Sequence, residues 1–324
     1  MKPKIGFVGA GGISRFHIEA ARAAGFELHS ICGREGSPSA LRIAQEYGFN
    51  HTSTNVDGLK NTGLDAIVIC ASTKEALEIY QNVLELDIPV LIEKPVSTSL
   101  PDLLFGIDLD RRKTLVGYNR RFYSSIQQLR QDQVSQPLLH SHWNISELPE
   151  AQDISKIECN QALMQNSVHQ FDLMRFLFGD LTSVTVERIA WNREIPFASA
   201  ILRFQTESVA SVNLTFGSPR NTSIEFFNIS KYIELKPLEN YVSFSKMRID
   251  EPSKEFPIRR YSPVSEISWK ISSDDLELKP GFLKQYLEFL QMTQGEDRTI
   301  GASLRDAVGS LQIADVFRKR ILLP

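Results

Sequence analysis

Behind Asp65, the run Ala66-Ile-Val-Ile-Cys-Ala71 never alternates between apolar and polar side chains. A strand with one wet face alternates with a period of two, so this run belongs in a strand buried on both faces, as in a parallel sheet covered by helices. Pro89–Ile92 reads as another buried strand, and Ile5–Gly9, Phe26–Cys32 and Thr114–Gly117 read as further strands. Between them lie stretches of helical spacing. Ile13, Phe16, Ala20, Ala21 and Ala24 share one face before Gly25 stops the helix, Ser39–Tyr47 closes at Gly48, and a further helix runs from about Lys74 to Leu86. Strands alternating with helices in this way build βαβ units and one doubly wound parallel sheet.

After about residue 120 the texture changes. A helical segment near Tyr123–Gln131 leads to Leu138–Ser146, and the spacing predicts one helix over Asn160–Phe178. Strand-like segments then follow without helices between them: Val184–Trp191, Ala198–Phe204, Ala210–Phe216, Ser223–Phe227, Tyr232–Leu235 and Tyr241–Phe244. That order predicts an open, mostly antiparallel sheet in an α+β domain, closed by helices at Phe282–Gln294 and Ser303–Lys319. A length of 324 residues, 42% of them hydrophobic, supports two cores, with domains expected at residues 1–120 and 121–324. No Pro/Gly linker marks the boundary, so the domains are expected to share elements and to pack tightly.

Several function classes are disfavoured. Lys+Arg at 36 against Asp+Glu at 39 leaves a net charge of -3, which suits no broad nucleic-acid surface. No apolar stretch is long enough to span a membrane. Met1-Lys-Pro-Lys running into Ile5–Gly9 reads as a first strand rather than a signal peptide. Cys32, Cys70 and Cys159 are too few for a disulfide scaffold and read as reduced thiols, with Cys159 a buried small hydrophobe. A cytoplasmic protein is expected.

Gly9-Ala-Gly11-Gly12-Ile-Ser14 joins the first strand to the first helix. Such a turn lets a backbone approach a pyrophosphate and aims a helix N-terminus at it; the bland alternative is a plain glycine turn. About twenty residues on, a carboxylate usually holds the adenosine ribose. Here Gly33 stands in that place and Arg34 follows. Losing the acid removes repulsion against a 2′-phosphate, and an arginine supplies a partner for it. NADP(H) is therefore expected over NAD(H), the second cofactor, with Ser37 or Ser39 as a second phosphate contact. The alternative is that Glu35 turns inward and takes the ribose.

Glu93-Lys94-Pro95 leaves the C-terminal end of a buried strand, the edge at which open α/β sheets bind ligands. Further on, Gln165, Asn166, His169 and Asp172 are spaced by three or four and share one face of the predicted helix. Read blandly, Lys94 is a surface lysine and the stripe is a solvated face.

Together, Gly9-x-Gly11-x-x-Ser14, Glu93-Lys94-Pro95, Val116-Gly-Tyr-Asn-Arg-Arg-Phe122, His169-x-x-Asp172-Leu and Phe178-Gly179 resemble the Gfo/Idh/MocA family of nicotinamide-dependent sugar and cyclitol oxidoreductases. The resemblance covers essentially the whole chain. It implies a Rossmann domain plus an α+β domain whose open sheet commonly makes homodimers or homotetramers. It also implies redox chemistry at a secondary alcohol of a sugar, sugar nucleotide or inositol.

By that resemblance Lys94 bonds the reacting hydroxyl, His169 is general acid/base, and Asp172 orients substrate or His169. Cofactor contacts are expected from the turn (Gly9, Ala10, Gly11, Gly12 and Ile13), from Arg34 and Ser72, and from Glu93 and Lys94. Tyr118, Arg121, Gln165, Asn166 and His169 are substrate-contact candidates.

Three departures from the family's pattern stand out. An Asp common before the histidine is replaced by Gln165 and Asn166, which cannot take a proton. The stretch from Ile157 to Leu163 lacks the usual glycines, and Cys70–Ala76 lacks a proline and a histidine. The first departure leaves open a second reading, a cofactor-binding regulatory protein without turnover. His140 and His142 alternate on one strand with no further ligand at metal spacing, so no metal site is expected.

Overall fold

The computed structural model describes residues 1–107, 113–135, 137, 140–148, 155–190, 196–272 and 275–322. The chain forms two compact units and passes between them several times. Met1–Tyr123, Phe171–Leu173 and Asp274–Asp315 make the first; Ser124–Gln170, Met174–Ser273 and Val316–Pro324 make the second.

In the first unit six parallel strands form one sheet: β1 (Lys4–Val8), β2 (Glu27–Cys32), β3 (His51–Ser53), β4 (Ala66–Ile69), β5 (Val90–Ile92) and β6 (Thr114–Val116). Their order is β3-β2-β1-β4-β5-β6. β4 is buried at every position, as its unbroken apolar run requires. The intervening helices are α1 (Gly12–Ala24), α2 (Ser39–Tyr47), α3 (Asp57–Lys60), α4 (Thr73–Val83) and α5 (Leu100–Ile107). β3 and α3 escape the periodicity because they are short and largely polar, and α5 because its nearly all-apolar run Leu100–Ile107 shows no polar face. The strand order reverses between β1 and β4. Their C-terminal ends therefore flank the crevice in which such sheets hold ligands.

The second unit is built on an eight-stranded sheet in the order β14-β13-β12-β11-β7-β10-β9-β8. Its strands are β7 (His140–Glu147), β8 (Leu181–Ala190), β9 (Pro196–Phe204), β10 (Val209–Phe216), β11 (Ser223–Phe227), β12 (Tyr232–Leu235), β13 (Tyr241–Asp250) and β14 (Arg260–Trp269). Neighbours run antiparallel except β7 and β10, which pair in parallel. β7 shows how one face becomes core: Ser141, Trp143, Ile145 and Glu147 are buried, while the residues between them are half-exposed. Trp143 meets the ring of Phe226, and Phe178 meets Phe204 and Phe226. Leu138, Leu139 and Trp191, included in the expected strands, lie outside the described residues.

α6 (Ser124–Ser135) precedes this sheet. The single helix expected over Asn160–Phe178 is three pieces: α7 (Lys156–Ala162), a π-helical turn at Leu163–Ser167 and α8 (Val168–Phe178). Ser155 and Glu158 start α7 with a reciprocal capping box.

Of the last two helices, α9 (Phe282–Thr293) lies wholly in the first unit and α10 (Leu304–Ile321) lies there as far as Asp315, which corrects the expected assignment of all residues after 120 to the second domain. Phe282, Tyr286, Phe289 and Met292 of α9 are buried in the same core as Ile5, Phe7 and Ile18. They complete the first unit.

Candidate functional site

At the end of β1, Gly9 adopts φ +106°, which side-chain-bearing residues rarely occupy. A Cβ there would stand 2.5 Å from the Cys70 carbonyl oxygen, so the loops after β1 and β4 touch only because position 9 is glycine. The Gly9 N–H donates to the Cys32 carbonyl at 2.9 Å, and the buried Ser14 hydroxyl donates to the Gly9 carbonyl at 3.0 Å. Ser14 thus closes the turn from the third glycine's place. A Cβ on Gly11 or Gly12 would meet no atom within 4 Å, and no side chain caps α1. Open space over an uncapped helix N-terminus fits a pyrophosphate.

That space continues into a cleft of about 360 Å³. Gly9, Ala10 and Gly11 line one part of it; Arg34, Ser37, Ser39, Thr54, Ser72 and Glu75 line the rest. Gly12 and Ile13 sit on the first turn of α1, just beyond the lining. Glu35 is exposed and does not line the cleft, which removes support for its turning inward to a ribose. Arg34 does face the cleft, but in company: its Nη2 lies 2.8 Å from Glu75 Oε2 and 3.5 Å from Ser72 Oγ. Ser72 Oγ donates to the same Glu75 oxygen at 2.6 Å.

Glu93 follows β5 at the sheet's C-terminal edge. Its Oε1 lies 2.7 Å from Nε2 of the fully buried His17, whose Nδ1 lies 2.9 Å from the Tyr286 hydroxyl. Its Oε2 accepts the Lys94 backbone N–H at 3.0 Å. Burial pushes the Glu93 carboxyl up, but the His17 hydrogen bond and the charges of His17, Lys94 and Lys279 hold it below the usual range. Gly117 leaves it room: a Cβ there would come within 2.9 Å of Oε1. Lys94 is half-buried, and its bond to Pro95 is cis. Sequence reasoning missed His17 and Tyr286. The available signal was a histidine inside the buried stripe of α1, beside Ser14, Ile18 and Ala21.

Arg121 and Asp172 form a buried ion pair, 4% and 1% exposed. Arg121 Nε donates to Asp172 Oδ2 at 2.8 Å and Nη2 to Oδ1 at 2.6 Å, the two-pronged geometry of a guanidinium on a carboxylate. Burial opposes the charge of Arg121, yet Asp172 and Asp306 hold it above its ordinary value. Tyr118 is equally enclosed, and burial, with the Asp172 charge behind it, pushes its phenol up. Tyr118 and Arg121, expected as substrate contacts, are thus both interior groups. Asp172, with both oxygens on Arg121, is placed to pin structure rather than to face a substrate.

In the second unit the π turn breaks the expected polar stripe. Gln165 is half-buried and Asn166 exposed, whereas His169 is only 6% exposed and no part of a solvated face. Ser167 Oγ donates to Glu147 Oε1 at 2.6 Å, which brings a buried carboxylate to this turn. Glu147 was legible in principle, since it holds the inward parity of β7 set by Trp143 and Ile145. His140 and His142 stand Nε2 to Nε2 at 3.3 Å, both beside Phe227. Among the described residues no three His, Cys, Asp or Glu side chains are grouped to hold a metal, and no helix is long and apolar enough to cross a membrane.

Comparison with known proteins agrees with this geometry. Residues 3–116 match the profile of GFO_IDH_MocA, described as an oxidoreductase family with an NAD-binding Rossmann fold. The rhizopine catabolism protein MocA of Rhizobium meliloti is 26% identical over 184 residues, 54% of this chain and 57% of that protein. An inositol 2-dehydrogenase of Pseudarthrobacter chlorophenolicus is 25% identical over 203 residues, 56% of each. This chain thus spans little more than half the length of these curated relatives. Among solved structures, UDP-N-acetylglucosamine 3-dehydrogenase GnnA from Acidithiobacillus ferrooxidans superposes with a TM-score of 0.76 over 99% of this chain and 98% of that one. At 18% identity that likeness speaks for the fold alone.

Proposed function

We propose that this chain, whose residues 3–116 match the Gfo/Idh/MocA oxidoreductase profile, is an oxidoreductase of that family, and that it oxidises or reduces a sugar, sugar nucleotide or cyclitol at a secondary alcohol or carbonyl, using a nicotinamide dinucleotide. The observation that carries this reading is the tight Gly9 turn, with open space over Gly11 and Gly12 at the switch point of a parallel sheet. When bound, the dinucleotide supplies or accepts the hydride. Arg34 supports a preference for NADP(H), with NAD(H) also accepted. A regulatory role without turnover gains no support from the relatives.

The chain's own part is positioning and proton management. Glu93, locked by His17, is proposed to hold the ribose on the nicotinamide side. Lys94 is proposed to bond the reacting hydroxyl through Nζ. His169 is proposed to give or take that hydroxyl's proton, a task suited to an imidazole at neutral pH. Both assignments rest on the Glu93-Lys94-Pro95 and His169-x-x-Asp172 motifs. Asp172 is then a positioning residue, acting through Arg121 and the helix that carries His169. The exposed Asn166 and half-exposed Gln165 are proposed substrate contacts.

We place the protein in the cytoplasm, as its reduced, buried cysteines suggest. We also place a homodimer or homotetramer interface on the outer face of the second sheet, where His140, His142, Phe227, Tyr232 and Phe244 form a half-exposed row of rings.

Replacing Lys94 with Met tests the reaction. Turnover should fall by about a hundredfold or more, the scale of a lost proton-handling group, while NADPH affinity stays within about twofold. Unchanged turnover would remove Lys94 from the mechanism.

A further inference from the structure

By sequence alone Arg34 is a lone cation awaiting a 2′-phosphate. The structure surrounds it differently. Glu75, on the first turn of α4, puts Oε2 2.8 Å from Arg34 Nη2, and Ser72 Oγ fixes that same oxygen at 2.6 Å. Ser72 Oγ also accepts from Arg34 Nη2 at 3.5 Å, so the three side chains form a closed triangle. All three line the cleft, in company with Ser37 and Ser39.

We propose that Glu75 is a specificity-determining residue: it supplies from α4 the carboxylate missing at Gly33, and by holding Arg34 it sets the discrimination between a 2′-hydroxyl and a 2′-phosphate. The inference rests on the cofactor reading above and deepens it. Three observations support it. First, Gly33 leaves no acid at the end of β2, and a Cβ there would stand 2.6 Å from Ala40 Cβ, so the backbone has no room for one. The acid must come from elsewhere, and Glu75 is the carboxylate that lines this cleft. Second, the Ser72 hydrogen bond and then Arg34 hold the Glu75 carboxyl below the usual carboxylate range, so it is charged at neutral pH. Third, a 2′-phosphate brings close to two further negative charges. It must displace Glu75 from Arg34 or sit beside it, whereas a ribose 2′-hydroxyl can donate to Glu75 without breaking the pair.

Both Arg34 and Glu75 are substantially exposed, with side chains 71% and 44% accessible, so their substitution leaves the core untouched. The test is a fluorescence titration of wild type, Glu75→Gln and Arg34→Met with NADPH and NADH. Glu75→Gln keeps shape and hydrogen bonding but drops the charge. It should tighten NADPH by about fivefold or more, leave NADH unchanged or weaker, and so widen the preference. Arg34→Met should weaken NADPH selectively. If wild type binds both cofactors and Glu75→Gln shifts neither, or shifts both alike, Glu75 plays no part in the choice while the cofactor reading stands. If wild type binds neither cofactor, the cofactor reading itself falls, and the Glu75 assignment with it.

Discussion

Among single residues, Asp172 separates two accounts of the helix that carries His169. A carboxylate serving chemistry alone could be neutralised at little cost to the fold. Asp172, however, is 1% exposed and holds Arg121 with both oxygens. Asp172→Asn would leave a buried guanidinium short of a counter-charge, and should cost about 3–5 kcal/mol. Urea denaturation should show the loss as a lower midpoint with an unchanged slope; a stability equal to wild type would return Asp172 to a purely functional role. Some site residues were legible because the chemistry is local. Gly9 and Gly11 stand within one turn, and Glu93 and Lys94 are adjacent. The triangle of Arg34, Ser72 and Glu75 was not legible, since its corners meet only when β2 and β4 lie in one sheet. His17 likewise gains meaning only when Glu93 and Tyr286 reach it.

Where elements are concerned, spacing spoke clearly for regular pieces and misled at irregular ones. β11 and β12 have the bounds their alternation predicts. The helix around His169 does not, because the π turn at Leu163–Ser167 adds a residue to the repeat and rotates α8 about its axis relative to α7. An unbroken α-helix would put Gln165, Asn166, His169 and Asp172 on one polar face. The actual helix exposes Asn166 and buries His169 and Asp172, so the apparent amphipathic stripe was an artefact of assuming one period. β14 escaped notice for another reason. It is the edge strand and pairs along β13 as far as Asp250, where outward polar residues and Pro263 dilute the alternation. β7 and β10 pair in parallel because the chain between them, from α7 through β9, returns to the starting end of the sheet.

For the molecule as a whole, composition and element order foretold two cores, one with a parallel sheet and one with a mostly antiparallel sheet. They did not foretell that α9 belongs with the first. Phe282, Tyr286, Phe289 and Met292 form an apolar face that would suit either core, and sequence spacing carries no address. That docking matters for stability, since Tyr286 completes the chain from His17 to Glu93. The folded state holds the Glu93 carboxyl below its ordinary value, so the unfolded chain binds its proton first as pH falls. Its stabilisation is thus fully present above about pH 4.5 and is lost as pH drops through the lowered folded value. Wild type should lose stability across this acid range, and Glu93→Gln should lose measurably less. Parallel acid limbs in denaturant melts at successive pH values would contradict that assignment.

The most direct measurement remains the binding of cofactor to the unmodified chain, followed by fluorescence as NADPH and NADH are titrated in parallel. Saturable binding of both, with NADPH the tighter, is the expected result and would justify a substrate screen over sugars, sugar nucleotides and cyclitols. Emission that never departs from that of free cofactor, for either dinucleotide, would contradict the reading of the Gly9 turn on which the proposed chemistry depends.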